Sequence, residues 1–171
     1  MTVLVYDDDI LVASSRLDLI QELKTFLDNT FKIKDLGALG YFLGIEASST
    51  ADGPNFCQRK YALEILEEAG FLGCKPTNTP MVHNLKLTHD GTPLADASCY
   101  RRLVGKLLYL TPTRPDISYS IQQLSQFVDN PTDQHLTVAH CVLRYIKKSP
   151  GQGLFYHANT NLQLKVFSDS D

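Results

Sequence analysis

Three consecutive aspartates, Asp7, Asp8 and Asp9, lie between two short apolar runs, residues 3–5 and 10–12. An ionised carboxylate that is buried without a partner is costly, and adjacent carboxylates repel one another. Two circumstances relieve this cost: the aspartates lie in an exposed turn, or a divalent cation such as Mg²⁺ neutralises them. Paired Mg²⁺ ions clamp the attacking and leaving oxygens of a phosphoryl transfer. The local pattern leaves both the exposed turn and the metal site open.

The other residues that could bind a metal form weaker patterns. His135 and His140 are five residues apart, and the sequence offers no third ligand beside them. We therefore expect them to be structural or surface histidines. The cysteines also lack the spacing of a metal site, which indicates reduced thiols in an intracellular protein of unknown compartment; they are Cys57, Cys74, Cys99 and Cys141.

Composition and charge exclude several classes of partner. The chain has 171 residues, of which 43% are hydrophobic, and a net charge of −3. This charge gives no general attraction to nucleic acid, so a nucleic-acid site must be local. The densest basic cluster consists of Arg101, Arg102 and Lys106. No apolar run approaches the roughly 20 residues that a membrane span needs, and we expect no membrane partner.

Hydrophobic periodicity predicts the elements that position these residues. Strands are predicted at 2–6, 10–13, 41–47, 55–58, 153–157 and 162–168, and helices at 17–31, 60–70, 98–111, 116–128 and 133–148. Residues 73–98 contain Pro76, Pro80 and Pro93 without an apolar period, which predicts a long loop. Arg114 and Asp116 flank a proline and favour a structural break between helices, with Asp116 as a cap for the next helix and Arg114 as an ion-pair partner.

Tyr6, Asp8 and Asp9, within a strand, turn and strand, resemble the Y-x-D-D motif of reverse transcriptases. The motif is followed by FKIKDLGALGYFLGIEA, QRKYALEILEEAGF, CKPTNTPM, YRRLVGKLLYLTPTRPDISYSIQQLSQF and HLTVAHCVLRYIKKSPGQGLFY. In order and spacing these segments are similar to copia-type (Pseudoviridae-like) retrotransposon reverse transcriptases, over nearly all 171 residues.

The resemblance implies an α+β fold: a truncated reverse-transcriptase palm of β-hairpins and a helix, then a helical thumb and a short C-terminal β-hairpin. The implied division is a partial palm over residues 1–72, a Pro-rich connecting loop over 73–98, a helical thumb and connection over 99–150, and the first strands of the connection and ribonuclease H over 151–171.

The resemblance also implies a catalytic pair. In the family, the positions of Asp8 and Asp9 bind catalytic metal, and Tyr6 packs near the primer terminus. Asp7 occupies the x position, which is usually Val. The segment Tyr41, Phe42, Leu43 and Gly44 looks like the primer grip, a hairpin of residues 41–48 with 54–58 that should pack close to the aspartates.

Further site residues follow from the same resemblance. Lys32 and Lys34 are implied phosphate contacts beside the primer grip, and Arg101, Arg102 and Lys106 belong to the thumb that follows the nucleic-acid backbone. Asp169, with Asp171 as second choice, matches a metal-binding carboxylate of ribonuclease H in an incomplete site.

The implied function is that of an RNA-directed DNA polymerase, a nucleotidyltransferase of a transposable-element polyprotein. In the family, the fingers and a third carboxylate precede Y-x-D-D, and here five residues precede Tyr6. The chain also begins and ends within strand patterns, so we expect a fragment that is inactive alone and binds Mg²⁺ weakly or not at all. The parent enzyme's partners would be the RNA template, the RNA–DNA hybrid and the missing fingers, palm and ribonuclease H segments.

Two alternatives stay open. One is a residual, non-specific RNA- or DNA-binding module that uses the basic residues of the thumb. The other is an unrelated Mg²⁺-dependent phosphotransferase built on the aspartates, which would need further carboxylates from residues 28–52 to converge on Asp8.

Overall fold

The computed structural model describes residues 1–160 together with residues 163 and 166, and it is a mixture of helices and strands. The helices are α1 (Leu17–Phe31), α2 (Arg59–Glu68), α3 (Ala97–Leu110), α4 (Ser118–Ser125) and α5 (Asp133–Lys148). The strands are β1 (Thr2–Tyr6), β2 (Asp9–Ala13), β3 (Tyr41–Phe42), β4 (Ile45–Thr50), β5 (Gly53–Cys57) and β6 (Gly153–Phe155). A short 3-10 helix, Pro115–Ile117, precedes α4.

Helices α2 to α5 enclose the hydrophobic core. Their buried side chains recur at three- and four-residue steps, so that each helix turns one apolar stripe inward. The core cluster of the described residues contains fourteen buried apolar side chains: Ala62, Ile65, Leu66, Tyr100, Val104, Leu107, Leu110, Ile117, Ile121, Leu124, Ala139, Val142, Leu143 and Ile146. The Tyr100 hydroxyl donates to the Leu124 carbonyl over 2.8 Å, which satisfies the one polar group of that ring, and burial raises the pKa of Tyr100.

The predicted helix over 116–128 is shorter in the structure. Pro115 opens a 3-10 turn, and α4 follows and ends at Ser125. The ring of Phe127 then stacks on that of His135, with centroids 4.0 Å apart. Phe127 is 7% exposed, so the residues after α4 also contribute a buried side chain.

Four strands form an antiparallel sheet in the order β3-β4-β5-β6. Strand β6 pairs with β5, so that Gly153 lies opposite Cys57. A Cβ on Gly153 would lie 2.0 Å from the Phe56 carbonyl oxygen, and only glycine permits so close an approach.

The expected C-terminal β-hairpin of 153–157 with 162–168 stays a prediction. Strand β6 lies beside β5, because the antiparallel bonds of residues 153–155 go to residues 55–57. Apart from residues 163 and 166, the second predicted strand falls outside the described residues.

The structure also joins segments across the implied domain boundaries. Helix α2, assigned to the partial palm, buries Ala62, Ile65 and Leu66 in the core that it shares with α3 to α5. Strand β6, assigned to the last segment, extends a sheet of the first. Burial of the apolar stripe of α2 explains the first difference, since that stripe needs a partner surface.

Residues 73–96 form no helix or strand, as predicted, and they lie along α5. Arg144 donates from Nε to the Lys75 carbonyl over 2.8 Å, and the Thr77 amide donates to the Arg144 carbonyl over 3.2 Å. Lys148 donates to the Asn78 side chain over 2.9 Å. These bonds hold the loop on the surface of the helix, which accounts for its length within a compact unit.

The N-terminal part is organised differently. Strands β1 and β2 form a separate two-stranded sheet, and none of residues 1–39 is buried. Helix α1 ends at Phe31, and the following residue, Lys32, adopts a left-handed conformation with φ 52°. Across the described part of the chain, no helix has both the length and the apolar content needed to cross a bilayer.

Candidate nucleic-acid interface and carboxylate hairpin

The aspartates lie at the tip of a β-hairpin, as predicted. Strand β1 pairs with β2 so that Tyr6 is opposite Asp9, and Asp7 and Asp8 form the turn. Asp7 has φ 46°, a left-handed conformation that Asp adopts far more readily than a β-branched residue. The aspartate at the x position of the motif therefore suits the turn, where a valine would be strained.

The three carboxylates do not form a complete metal site. All three aspartates are exposed, and among the described residues no group of three or more histidine, cysteine, aspartate or glutamate side chains could hold a metal ion. Carboxylate oxygens are suitable ligands for Mg²⁺, so Asp8 and Asp9 fit as part of a site. The phosphotransferase alternative required carboxylates from residues 28–52 beside Asp8, and no such group forms in the described chain.

The hairpin was also expected to pack close to residues 41–48 and 54–58, and this expectation is wrong. Leu4 is 52% and Val5 68% exposed. Within residues 1–160, no hydrogen bond joins the hairpin to another element. The apolar side chains of β1 alternate over both faces of a two-stranded ribbon, and on both faces they stay exposed.

The predicted primer grip forms a tight turn between β3 and β4. Tyr41–Phe42 pairs with Ile45–Glu46, and Leu43 and Gly44 make the turn with φ values of 50° and 79°. Two successive positive φ angles define the hairpin turn that matches the twist of its strands. The prediction of one strand over 41–47 missed this turn, because leucine rarely adopts a positive φ.

Tyr109 is a residue of this region that sequence reasoning missed. Its hydroxyl donates to the Leu43 carbonyl over 2.9 Å. Its ring lies edge-on to the ring of Tyr61, with centroids 5.3 Å apart. A tyrosine near the end of a predicted amphipathic helix gives no signal of such a role, since the contact spans 66 residues of sequence.

The basic cluster on α3 is largely engaged in structural contacts. Arg101 donates to the carbonyls of Val128 and Asp129 over 2.7 and 3.1 Å. Lys106 forms an ion pair with Glu68 of α2. In the described part of the chain Arg102 has no hydrogen bond or ion pair, and it is exposed.

Arg102 lines a shallow groove of about 210 Å³ between α2, α3 and α5. Lys106, Glu68, Cys99 and His140 line the same groove. Burial lowers the pKa of His140. The groove therefore carries the fixed charges of Arg102, Lys106 and Glu68, and its histidine favours the neutral form.

The lysines beside the primer grip have different surroundings. The backbone N–H of Lys32 donates to the Asp28 carbonyl and terminates α1, so its conformation is fixed by a helix end. Lys34 is exposed in the following irregular segment. Tyr6 is 56% exposed at the end of β1. The contacts of Lys32, Lys34 and Tyr6 with nucleic acid stay predictions.

His135 is a structural residue of the core. Its Nδ1 accepts from the Thr132 backbone N–H over 2.9 Å and closes the capping box at the start of α5. Nδ1 is therefore the acceptor, and the proton of the neutral ring lies on Nε2. Burial lowers the pKa of His135, and the Thr88 backbone partly opposes that shift.

The predicted break between helices contains an ion pair between a buried arginine and a partly exposed aspartate. Arg114 is 1% exposed and donates from Nε and Nη2 to the two carboxylate oxygens of Asp116 over 2.9 and 2.8 Å. Partial burial raises the pKa of Asp116, but bonds from Arg114 and Tyr145 outweigh burial and leave the pKa below its ordinary value. The ion-pair role of Arg114 is confirmed, whereas Asp116 binds Arg114 and does not cap the next helix.

Two predicted features remain. Asp169 and Asp171, proposed for an incomplete ribonuclease H site, lie outside the described residues. The four cysteines are free thiols in the structure.

Comparison with known proteins identifies the family. A family model described as reverse transcriptase (RNA-dependent DNA polymerase) matches residues 1–83. Retrovirus-related Pol polyproteins from transposons RE2 and RE1 of Arabidopsis thaliana are 42% and 41% identical over 169 residues, which is 98% of this chain and 12% of each polyprotein. An uncharacterized mitochondrial protein of Arabidopsis thaliana is 42% identical over 171 residues, which is 71% of its length.

The chain belongs to the reverse transcriptase family, and within it to the copia-type retrotransposon proteins. It spans about an eighth of the length of the two Pol polyproteins, because the match covers 12% of each. No solved structure gives a significant match to the chain.

Proposed function

We propose that this chain supplies the carboxylate pair and the primer-holding turn of an RNA-directed DNA polymerase, and that the 171 residues alone do not extend a primer. The observation that carries the proposal is the placement of Asp8 and Asp9 at an exposed hairpin tip. Within the described residues no third ligand converges on them.

Asp8 and Asp9 would hold Mg²⁺, which when bound stabilises the charge that develops during phosphoryl transfer. The chain's own contribution is to present two carboxylates on one tight turn between paired strands. Two carboxylates leave a hard cation mostly hydrated, and we expect binding too weak to align an incoming nucleotide.

A primer-extension assay tests this proposal. The purified chain is incubated with a primed RNA template, nucleoside triphosphates and Mg²⁺ or Mn²⁺, beside an active reverse transcriptase as positive control. We expect no extension above background. Extension that Asp8→Asn abolishes would overturn the proposed inactivity, and extension that Asp8→Asn leaves unchanged would indicate a contaminating polymerase.

A second candidate function is weak binding of an RNA–DNA hybrid, and the observation in its favour is the exposed, unpaired guanidinium of Arg102 among the described residues. Arg101 and Lys106 are held by protein partners, so fewer phosphate contacts are open than three basic residues suggest. Binding to duplex loses about 0.9 log units of affinity per log unit of salt for each contact. We therefore expect a slope near −1 to −2 on this basis.

Fluorescence anisotropy across a salt series measures that slope. Arg102→Ala should weaken binding at low salt and flatten the slope. Lys86→Ala, at an exposed position in the loop along α5, is the matched control for loss of one positive charge. Equal effects of the two substitutions would show that Arg102 contributes only to net charge.

A further inference from the structure

We propose that Tyr109 is a positioning residue that fixes the Leu43–Gly44 turn on α3, so that the turn and the basic side chains of α3 meet one nucleic-acid duplex as a single surface. The identity of the ligand rests on the proposed function. The attachment of the turn to α3 is independent of the proposed function, because it follows from the contacts described below.

Tyr109 connects two regions that are far apart in sequence. Its hydroxyl donates to the Leu43 carbonyl over 2.9 Å. In the described chain, this is the hydrogen bond that joins the Leu43–Gly44 turn to an element outside its own hairpin. A Cβ built on Gly44 would lie 3.7 Å from both the Cε1 and the hydroxyl of Tyr109, so the turn also rests against the ring.

Tyr109 is itself held from the protein side. Gln58 donates from Nε2 to the Tyr109 carbonyl over 3.4 Å, and the Thr113 hydroxyl donates to Gln58 Oε1 over 2.7 Å. Gln58 and Thr113 are each only 2% exposed. The edge-on contact with Tyr61 fixes the ring from the other side. A buried amide at the start of α2 thus fixes the backbone from which Tyr109 reaches the turn.

Through Tyr109, the turn is attached to the helix that carries the basic residues. Arg102, Lys106 and Tyr109 lie on the same helix, α3. Because a helix is rigid over its whole length, a turn that is attached at Tyr109 has a fixed position relative to Arg102. The exposed ring of Tyr41, in the strand that leads into the turn, is set at the same time.

The test is amide hydrogen exchange, followed by NMR, on the free chain and on Tyr109→Phe. The substitution removes the hydroxyl and keeps the ring contact with Tyr61. Loss of one hydrogen bond should speed exchange of residues 44–47 about three- to ten-fold, while the amide chemical shifts of α4 stay unchanged. Tyr119→Phe is the matched control, since Tyr119 is 66% exposed and its hydroxyl has no hydrogen bond within the described chain.

Unchanged exchange at residues 44–47 in Tyr109→Phe would overturn the inference. Amide chemical-shift changes in α4 as large as those at residues 44–47 would also overturn it, because the hydroxyl would then support the fold in general.

Addition of an RNA–DNA hybrid separates positioning from stability. In the parent chain the hybrid should slow exchange in residues 41–47 and in α3. In Tyr109→Phe, protection should persist in α3 and disappear from residues 41–47, and the salt slope should not change because no phosphate contact is lost. Protection of both segments in the variant would contradict the positioning role. No protection anywhere in the parent chain would overturn the second candidate function, binding of a hybrid, and with it the shared surface, and the free-chain exchange would still decide whether Tyr109 attaches the turn.

Discussion

Burial of apolar side chains differs between two regions, residues 1–39 and helices α2 to α5. The apolar stripe of α1 recurs at three- and four-residue steps as clearly as that of α3. Yet α1 buries no residue, whereas α3 buries Tyr100, Val104, Leu107 and Leu110. Both patterns produce a helix of the expected length. The comparison shows that periodicity determines the element, and that burial of its apolar face depends on a partner surface.

The largest expected difference between the two regions is in local stability. A two-stranded ribbon is marginally stable by itself, whereas opening of core helices requires close to the full free energy of unfolding. In the free chain, core amides of α3 and α5 should therefore exchange more than about a thousandfold more slowly than those of β1 and β2. Amide exchange with residue-level resolution measures this ratio. Comparable protection in both regions would mean that the hairpin is covered in solution.

A pair of leucine substitutions sharpens the same comparison. Leu107 is 0% and Leu17 is 80% exposed. Leu107→Ala should lower the free energy of unfolding by about 2–5 kcal/mol, because it removes buried methyl groups and leaves a cavity. Leu17→Ala should change it by less than about 0.5 kcal/mol. Urea denaturation followed by circular dichroism gives both values, and a large effect at Leu17 would contradict the exposed position of α1.

The smallest expected effect is a dependence of core stability on pH. Burial lowers the pKa of His135 and of His140, so the folded state binds fewer protons than the unfolded state. The free energy of unfolding should therefore decrease as the pH falls through about 6.5, the value for an unperturbed histidine, and level off below the folded pKa values.

Urea denaturation at pH 7.5 and pH 5 measures this decrease. His140→Phe should reduce the difference between the two pH values, and His83→Gln, in the exposed loop, is the control. Residues 1–39 contain no histidine, so the histidine-dependent change in the free energy of unfolding comes from the helical core. Stability that stays constant or rises on acidification would contradict it.

Much of the helical part follows from the sequence alone. The bounds predicted for α1 and α5 agree with the structure, and those for α3 differ by one residue at each end. The aspartate turn was also predictable, because two apolar strands flank it. Local patterns suffice in these cases, since each element is specified by residues within it.

Several of the misses involve contacts between distant segments. The attachment of Leu43 to Tyr109 and the pairing of β6 with β5 are not encoded in any short stretch. The positive φ of Leu43 contradicts the preference of leucine. The engagement of Arg101 by the carbonyls after α4 likewise depends on how the helices pack. Charge patterns predict where basic residues lie, and only tertiary structure shows which of them keep a free side chain.

The pairing of β5 with β6 has a consequence for the timing of folding. One edge of strand β5, residues 55–57, is covered only after residues 153–155 have been synthesised and have paired with it. During synthesis, the helices α2 to α5 emerge in between, so the helical core can assemble while the edge of β5 is still open. An open strand edge invites pairing with another chain. The interval between emergence of β5 and emergence of β6 is therefore a period in which a nascent chain is exposed to aggregation through this edge.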